Sequence, residues 1–175
     1  MTKILSAIAT VGWATAAQAA GAPDALKAKT VTITWSETRE QAAKGGEFKF
    51  VTISAQMSVY VSSAGRPFAK LTMRSRSDEA SQGTVGGSGA SLGGGVRTVN
   101  FTPSGFTIGS NFGGAARRIV VDASGGGCSA SVSVAKLAGA STVSFTRTDG
   151  RSFELRSLSA SGANCSIGNS NDFAK

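Results

Sequence analysis

The sequence predicts an all-β protein, a single-domain antiparallel β-sandwich or small β-barrel rich in sequential hairpins and held by one disulfide. Apolar and polar residues alternate in about nine short segments, and glycine-rich stretches separate these segments. Only residues 37–44 could hold a short helical turn. A sheet with one apolar face must fold over itself or against a second sheet, which leaves the sandwich and the barrel as alternatives.

The chain begins with the pattern of an export signal in residues 1–19. Lys3 supplies a positive charge, residues 4–17 form a mostly apolar run without charge, and Ala17-Gln18-Ala19 offers a small-x-small cleavage site. The alternative is a membrane anchor, but the run is shorter than the roughly 20 residues that span a bilayer. We therefore expect cleavage near Ala20, a mature chain without a transmembrane span, and a periplasmic or secreted location.

The candidate strands follow from period-two alternation along the rest of the chain. The longest has Val, Ile, Ala and Met on one side and Thr, Ser, Gln and Tyr on the other, as expected for a half-buried strand. The nine segments are residues 30–35, 50–62, 68–74, 96–101, 106–112, 117–123, 130–135, 142–147 and 152–158.

Three hairpin registers can be predicted, because a one-residue slip moves every apolar side chain to the wrong face. Each register is the one that sets apolar residues opposite each other across a glycine-containing loop. For the third hairpin, a three-residue loop also places Gly150 in the left-handed region. The predicted pairs are Val59 with Ala69, Met57 with Leu71, Phe101 with Phe106, Val99 with Ile108, Phe145 with Phe153, and Val143 with Leu155.

Residues 81–95 are rich in glycine and serine and have little to bury, so we interpret them as a long loop within one domain covering residues 20–175. They lack the G-x-G-x-x-G and Gly-Lys-Ser/Thr patterns that cradle phosphates, and we predict no nucleotide or other cofactor.

Cys128 and Cys165 are the only cysteines, and an even count in an exported chain predicts one disulfide. The sequence contains no histidine, so these two thiols cannot complete a four-ligand zinc site. We predict no metal site.

Catalysis has little support in the sequence. The commonest general base, histidine, is missing from the sequence. Carboxylates are available, but their spacing pairs none of them, and we expect each on the solvated surface. They include Glu37, Glu40, Glu47, Asp78, Glu79, Asp122 and Glu154.

A basic stripe stands out in a chain whose formal net charge is +8. Arg66, Lys70, Arg74 and Arg76 share one face of the segment after Gly65, while apolar residues occupy the opposite face. One interpretation is a solvated face that protects an edge strand from pairing. The other is a contact for an anionic envelope component such as lipopolysaccharide or acidic polysaccharide. Nucleic acid is disfavoured because few aromatic residues accompany the stripe.

These observations predict an exported, non-enzymatic binding or structural envelope protein that uses its basic surface. The alternative is a lipocalin-like barrel that binds a small apolar ligand. The two differ in whether the interior is open or is filled by phenylalanine. The phenylalanines expected there are Phe48, Phe50, Phe101, Phe106, Phe145 and Phe153. The oligomeric state stays open.

Overall fold

The computed structural model describes residues 21–75, 83–86, 96–140, 142–144, 152–171 and 173. In these residues the chain forms an antiparallel β-sandwich, so the predicted fold class is confirmed and the sandwich is the form adopted. The predicted export signal lies outside the described residues.

Ten strands occur in the described part of the chain, and nine of them overlap the nine predicted segments. Their bounds are β1 Lys29–Ala43, β2 Lys49–Val61, β3 Pro67–Ser75, β4 Gly83–Gly86, β5 Val96–Thr102, β6 Gly105–Phe112, β7 Ala115–Asp122, β8 Ser129–Lys136, β9 Thr142–Ser144 and β10 Ser152–Gly168.

The strands form two sheets, which we call the large sheet and the small sheet. The large sheet has the order β4-β3-β2-β1-β10-β9, and its outer strands β4 and β9 are only four and three residues long. The small sheet is a meander with the order β5-β6-β7-β8. Two three-residue 3-10 helices, Asp24–Leu26 and Ser124–Gly126, complete the fold. Within the described ranges, no helix has the length and apolar character to cross a membrane.

Two sequence-based expectations about local structure need correction. Residues 37–43 continue β1 and form no helical turn, because their alternation places Glu37, Arg39 and Gln41 on the buried face. The predicted loop at residues 81–95 contains β4, which pairs with β3 through four residues. The remaining residues of that loop lie outside the described ranges.

The core lies between the sheets and follows the predicted alternation. Inward-facing aliphatic and methionine side chains of the large sheet meet Phe106, Ile108 and Ile119 of the small sheet. Burying each such side chain stabilises the fold by about 1.5–3 kcal/mol. The predicted phenylalanine interior is correct in part. Phe106 is fully buried, and Phe101 and Phe153 are partly buried against the core. Phe48 is partly buried outside the core cluster, and Phe50 is 74% exposed on the outer face.

Two hairpin registers are confirmed and one is wrong. Val59 pairs with Ala69 and Phe101 pairs with Phe106, as predicted. In the third hairpin Val143 pairs with Phe153 instead of Leu155, a shift of two residues along β10 that keeps the apolar side chains on the same face. Phe145 and Gly150 lie outside the described residues.

β10 changes which residues face the core twice along its length. Arg156 is an extra residue between the partners of Glu40 and Gln41, and Gly162 with Ala163 stands opposite Trp35 alone. Each of these β-bulges shifts the alternation by one residue. Phe153 and Leu155 therefore face inward before the first bulge, Leu158 and Ala160 between the bulges, and Ala163, Cys165 and Ile167 after the second.

The predicted disulfide is confirmed. Cys128 immediately precedes β8 of the small sheet and Cys165 lies on β10 of the large sheet, with 5.6 Å between the two Cα atoms. The bond therefore ties the two sheets together as well as closing a long stretch of chain.

Candidate functional site

A groove of about 550 Å³ crosses the outer face of the large sheet. This volume lies in the range of roughly 300–1,000 Å³ that ligand sites occupy. Hydroxyl, carboxamide and cationic side chains dominate its lining, and none of the lining residues carries a carboxylate. They are Thr34, Trp35, Ser36, Ser54, Ala55, Gln56, Lys70, Thr72, Arg74, Gly162 and Asn164.

Strand register explains why these polar side chains meet. On β1, β2 and β3 the odd-numbered residues fill the core, so the even-numbered residues face outward. Cross-strand pairing then aligns Thr72, Gln56, Thr34 and Asn164 in one row over four strands. With about 4.8 Å between neighbouring strands, this polar row spans roughly 14 Å. A second row joins Arg74, Ser54 and Ser36 beside it.

The second β-bulge of β10 shapes the end of the groove. Gly162 has a φ of +65°, a left-handed conformation that strains any residue with a side chain. A Cβ built at Gly162 would meet no atom within 4 Å, so the space above this residue is open. Since the register shift also turns Asn164 outward, the bulge supplies both the open floor and one polar wall.

The structure brings two of the four stripe residues into the groove. Lys70 and Arg74 project from β3 on the outer face, and four residues of extended strand separate them by about 13 Å. Neither forms an ion pair with any residue in the described ranges. Arg66 is exposed in the turn before β3, where its backbone N–H donates to Ser62 Oγ at 3.0 Å. Arg76 lies outside the described residues.

The edge-protection interpretation of the stripe has limited geometric support. β3 pairs with β2 along nine residues, and β4 covers Lys70 to Met73 on its other side. β3 is thus not the terminal strand of the large sheet. An ordinary solvated face remains the alternative to a binding surface.

An aromatic cluster closes one end of the outer face. The ring centroids of Tyr60 and Phe68 lie 6.1 Å apart, and Phe173 lies 6.5 Å and 6.3 Å from them. The C-terminal segment is held there by the Thr30 hydroxyl, which donates to the Ser170 carbonyl. The groove therefore begins beyond this cluster, at Lys70.

The main departure from the sequence-based expectation is Glu37, which is fully buried between the sheets instead of lying on the surface. Its carboxylate accepts four hydrogen bonds. Arg117 on β7 donates from Nε at 2.6 Å and from Nη2 at 2.9 Å, Arg39 Nη2 donates at 2.8 Å, and Trp35 Nε1 donates at 3.0 Å. We call Glu37, Arg39 and Arg117 the buried ion triad.

The triad is a cross-link between sheets. Burial alone would raise the pKa of Glu37, but the hydrogen bonds and charges of Arg117 and Arg39 outweigh it and lower the pKa to about 2. Burial, as the largest influence, lowers the pKa of Arg39, and the charge of Glu37 opposes this. A carboxylate so fully paired cannot accept a proton near neutrality, so Glu37 is unsuited to general base catalysis.

The other described carboxylates are dispersed. Glu47, Asp122 and Glu154 are exposed, as expected. Glu40 accepts a hydrogen bond from Arg156 Nη1 at 2.9 Å, and the guanidinium of Arg156 also lies 3.8 Å from the ring centroid of Phe48. Across the described ranges, no three Cys, Asp or Glu side chains are grouped closely enough to hold a metal ion. Asp78 and Glu79 lie outside those ranges.

Comparison with known proteins adds no relative. No protein-family model matches the chain, and neither the curated proteins nor the solved structures give a significant match.

Proposed function

We propose that this chain is an exported, non-enzymatic binding protein whose groove contacts an anionic envelope component, either lipopolysaccharide or acidic polysaccharide. The observation that carries the proposal is the lining of the groove. It contains the cations Lys70 and Arg74 and no carboxylate, and neither cation is engaged by another described residue.

Electrostatics supports an anionic partner over a neutral one. A concave surface lined by charges of one sign concentrates the field and raises the local concentration of oppositely charged ligands. Two cations about 13 Å apart can engage separate anionic groups of one ligand. Because both side chains are accessible, screening over about 8 Å at physiological ionic strength should make their attraction salt-dependent.

Export is supported by two independent features. Residues 1–19 have the pattern of a cleavable signal, and the Cys128–Cys165 disulfide fits an oxidising compartment. The alternative of an enclosed apolar ligand has less support, because the chain adopts a sandwich and its groove is polar and lies outside the core.

A charge-reversal comparison tests the proposal. The Lys70→Glu, Arg74→Glu double variant is compared with Arg118→Glu, Lys136→Glu, which makes the same charge change at exposed positions of the small sheet. Arg118 is preferable to Arg156 as a control, because Arg156 already pairs with Glu40.

The measurements are retention on a heparin column and binding to immobilised lipopolysaccharide, at salt concentrations from about 50 to 300 mM. We expect salt-dependent binding that is lost in the groove variant and largely kept in the control variant. Equal loss in both variants would mean diffuse charge attraction without a site. Absence of binding by the parent protein would refute the proposal.

A further inference from the structure

We infer that the groove binds a short uronic-acid oligosaccharide laid across the strands, with one of its carboxylates at the β3 cations and its ring hydroxyl groups against β1 and β10. This inference rests on the proposed function and narrows the anionic partner to one chemical class. It is supported by the carboxamide and hydroxyl side chains of the groove, whereas the proposed function is supported by the two cations.

The two carboxamides indicate that the ligand brings hydrogen-bond donors. Asn164 Nδ2 donates to the Gly162 carbonyl at 3.1 Å, and because a carbonyl can only accept, this bond fixes which end of the amide is nitrogen. Gln56 Nε2 donates to Ser58 Oγ at 3.3 Å. In Asn164 the amide oxygen is left to accept from a ligand, and the oxygen of Gln56 is left likewise when its Nε2 donates to Ser58. Sugar hydroxyls supply such donors, whereas a fully ionised polyphosphate does not.

The hydroxyl side chains favour the same class of ligand. Thr34, Ser36, Ser54 and Thr72 each combine one donor with acceptor lone pairs, as every sugar hydroxyl does. Alternation turns the Trp35 side chain into the core, where its indole is 3% exposed, so the tryptophan offers no stacking surface in the groove. Recognition would therefore rest on hydrogen bonds.

The distribution of charge sets the orientation. Both cations of the groove lie on β3, while the lining residues of β2, β1 and β10 are uncharged. A uronic-acid oligosaccharide with one carboxylate at the β3 cations and ring hydroxyls at Thr34 and Asn164 satisfies both ends of the polar row. The open space above Gly162 leaves room for the end of the ligand at β10, where its further carboxylates can face solvent.

The experiment uses isothermal titration calorimetry with three probes: tetragalacturonate, inorganic polyphosphate of similar charge, and neutral maltotetraose. We expect salt-dependent binding of tetragalacturonate and much weaker binding of maltotetraose. The Gln56→Ala, Asn164→Ala variant should lower the affinity for tetragalacturonate about thirtyfold, since it removes two hydrogen bonds that are each worth around 1 kcal/mol. Its affinity for polyphosphate should change less than about twofold.

A matched control is Thr38→Ala, Thr52→Ala. These two residues pair across β1 and β2 on the same outer face but do not line the groove, so this variant should bind tetragalacturonate as the parent does. Circular dichroism of each variant checks that the fold is kept.

The outcomes separate this inference from the proposed function. If polyphosphate binds as well as tetragalacturonate and the Gln56, Asn164 variant is unaffected, the oligosaccharide inference is overturned while anion binding stands. If maltotetraose binds as well as tetragalacturonate, the assigned role of the β3 cations is wrong. If no anionic probe binds, both proposals fail.

Discussion

Replacing Arg117 with methionine should destabilise the fold by about 3–5 kcal/mol, because it leaves the buried carboxylate of Glu37 without its main partner. Arg117 supplies two of the four hydrogen bonds to Glu37 and also donates from Nη1 to the Phe112 carbonyl at 3.1 Å. Methionine fills part of the space but offers no donor, and no solvent reaches the site to replace the lost bonds.

The pKa of Glu37 gives an independent measure of this magnitude. It falls from an ordinary value of 4.5 to about 2 in the folded protein. Since one pKa unit corresponds to 1.36 kcal/mol, ionised Glu37 contributes on the order of 3 kcal/mol to folding. Because the folded pKa is lowered, this contribution is complete above pH 4.5 and is lost as the pH falls toward 2.

Urea denaturation of the parent protein and of Arg117→Met, from pH 7 down to pH 3, measures both effects. In the variant, burial is no longer offset by Arg117 and should raise the pKa of Glu37, so the stability deficit should shrink on acidification. The control is Arg118→Met at the adjacent exposed position, which should cost less than about 0.5 kcal/mol. A deficit below about 1 kcal/mol at pH 7, or one that stays constant down to pH 3, would refute the reasoning.

Three further predictions concern stability. Replacing both Cys128 and Cys165 with serine should cost on the order of 4 kcal/mol for a bond with a sequence separation of 37, and an unchanged urea midpoint would contradict this. Gly105→Ala should lower the free energy of unfolding by about 1–3 kcal/mol or more, because the added Cβ would lie 2.0 Å from the carbonyl oxygen of Val121 in β7. A drop in the thermal melting temperature would measure this effect. Phe106→Ala should lower the free energy of unfolding by about 3–5 kcal/mol, whereas Phe50→Ser should leave it nearly unchanged. Equal effects of the two substitutions in urea denaturation would contradict the burial assigned to these residues.

Alternation was sufficient to locate nine of the ten described strands, because most inward positions carry apolar side chains, but it missed β4 and the far ends of β1 and β10. It also fixed two registers, where a short glycine-containing loop leaves apolar residues of both strands opposite each other. The third register could not be obtained in this way, because a shift by two residues still pairs apolar side chains on the same face.

The buried ion triad was missed because its residues interrupt the apolar pattern that defined the strand. Glu37 and Arg39 are odd-numbered, as are Ile33 and Trp35, and therefore face inward with them. Two opposite charges two residues apart on one strand face were the feature of the sequence that could have indicated a buried ion pair. Their partner Arg117 is 80 residues away along the chain from Glu37, a pairing that no local pattern contains.

The residues of the groove that lie on β1, β2 and β3 could be predicted from the sequence, but Asn164 on β10 could not. Lys70 and Arg74 follow from the parity of β3, and the polar faces of β1 and β2 are visible in the sequence. Asn164 could not be assigned to the groove, because it lies beyond the predicted segment 152–158 and across two β-bulges of β10 that no sequence pattern marked. Uninterrupted alternation along β10 would assign the wrong face of the sheet to every residue between the two bulges.

The positions of these two bulges determine where the large sheet can tolerate insertions. β9 pairs only with Ser152 to Glu154, so from Leu155 onward β10 has a ladder partner on one side alone in the described part of the chain. An extra residue there disturbs one set of hydrogen bonds. β1 pairs on both sides along most of its length, and a residue added directly after Ile33 would turn Glu37 and Arg39 outward and Thr34 and Ser36 into the core. A single added residue in β10 is therefore tolerated only where it enlarges the bulge at Arg156, because an insertion that shifts the alternation would turn Cys165 away from Cys128. β1 must keep its length.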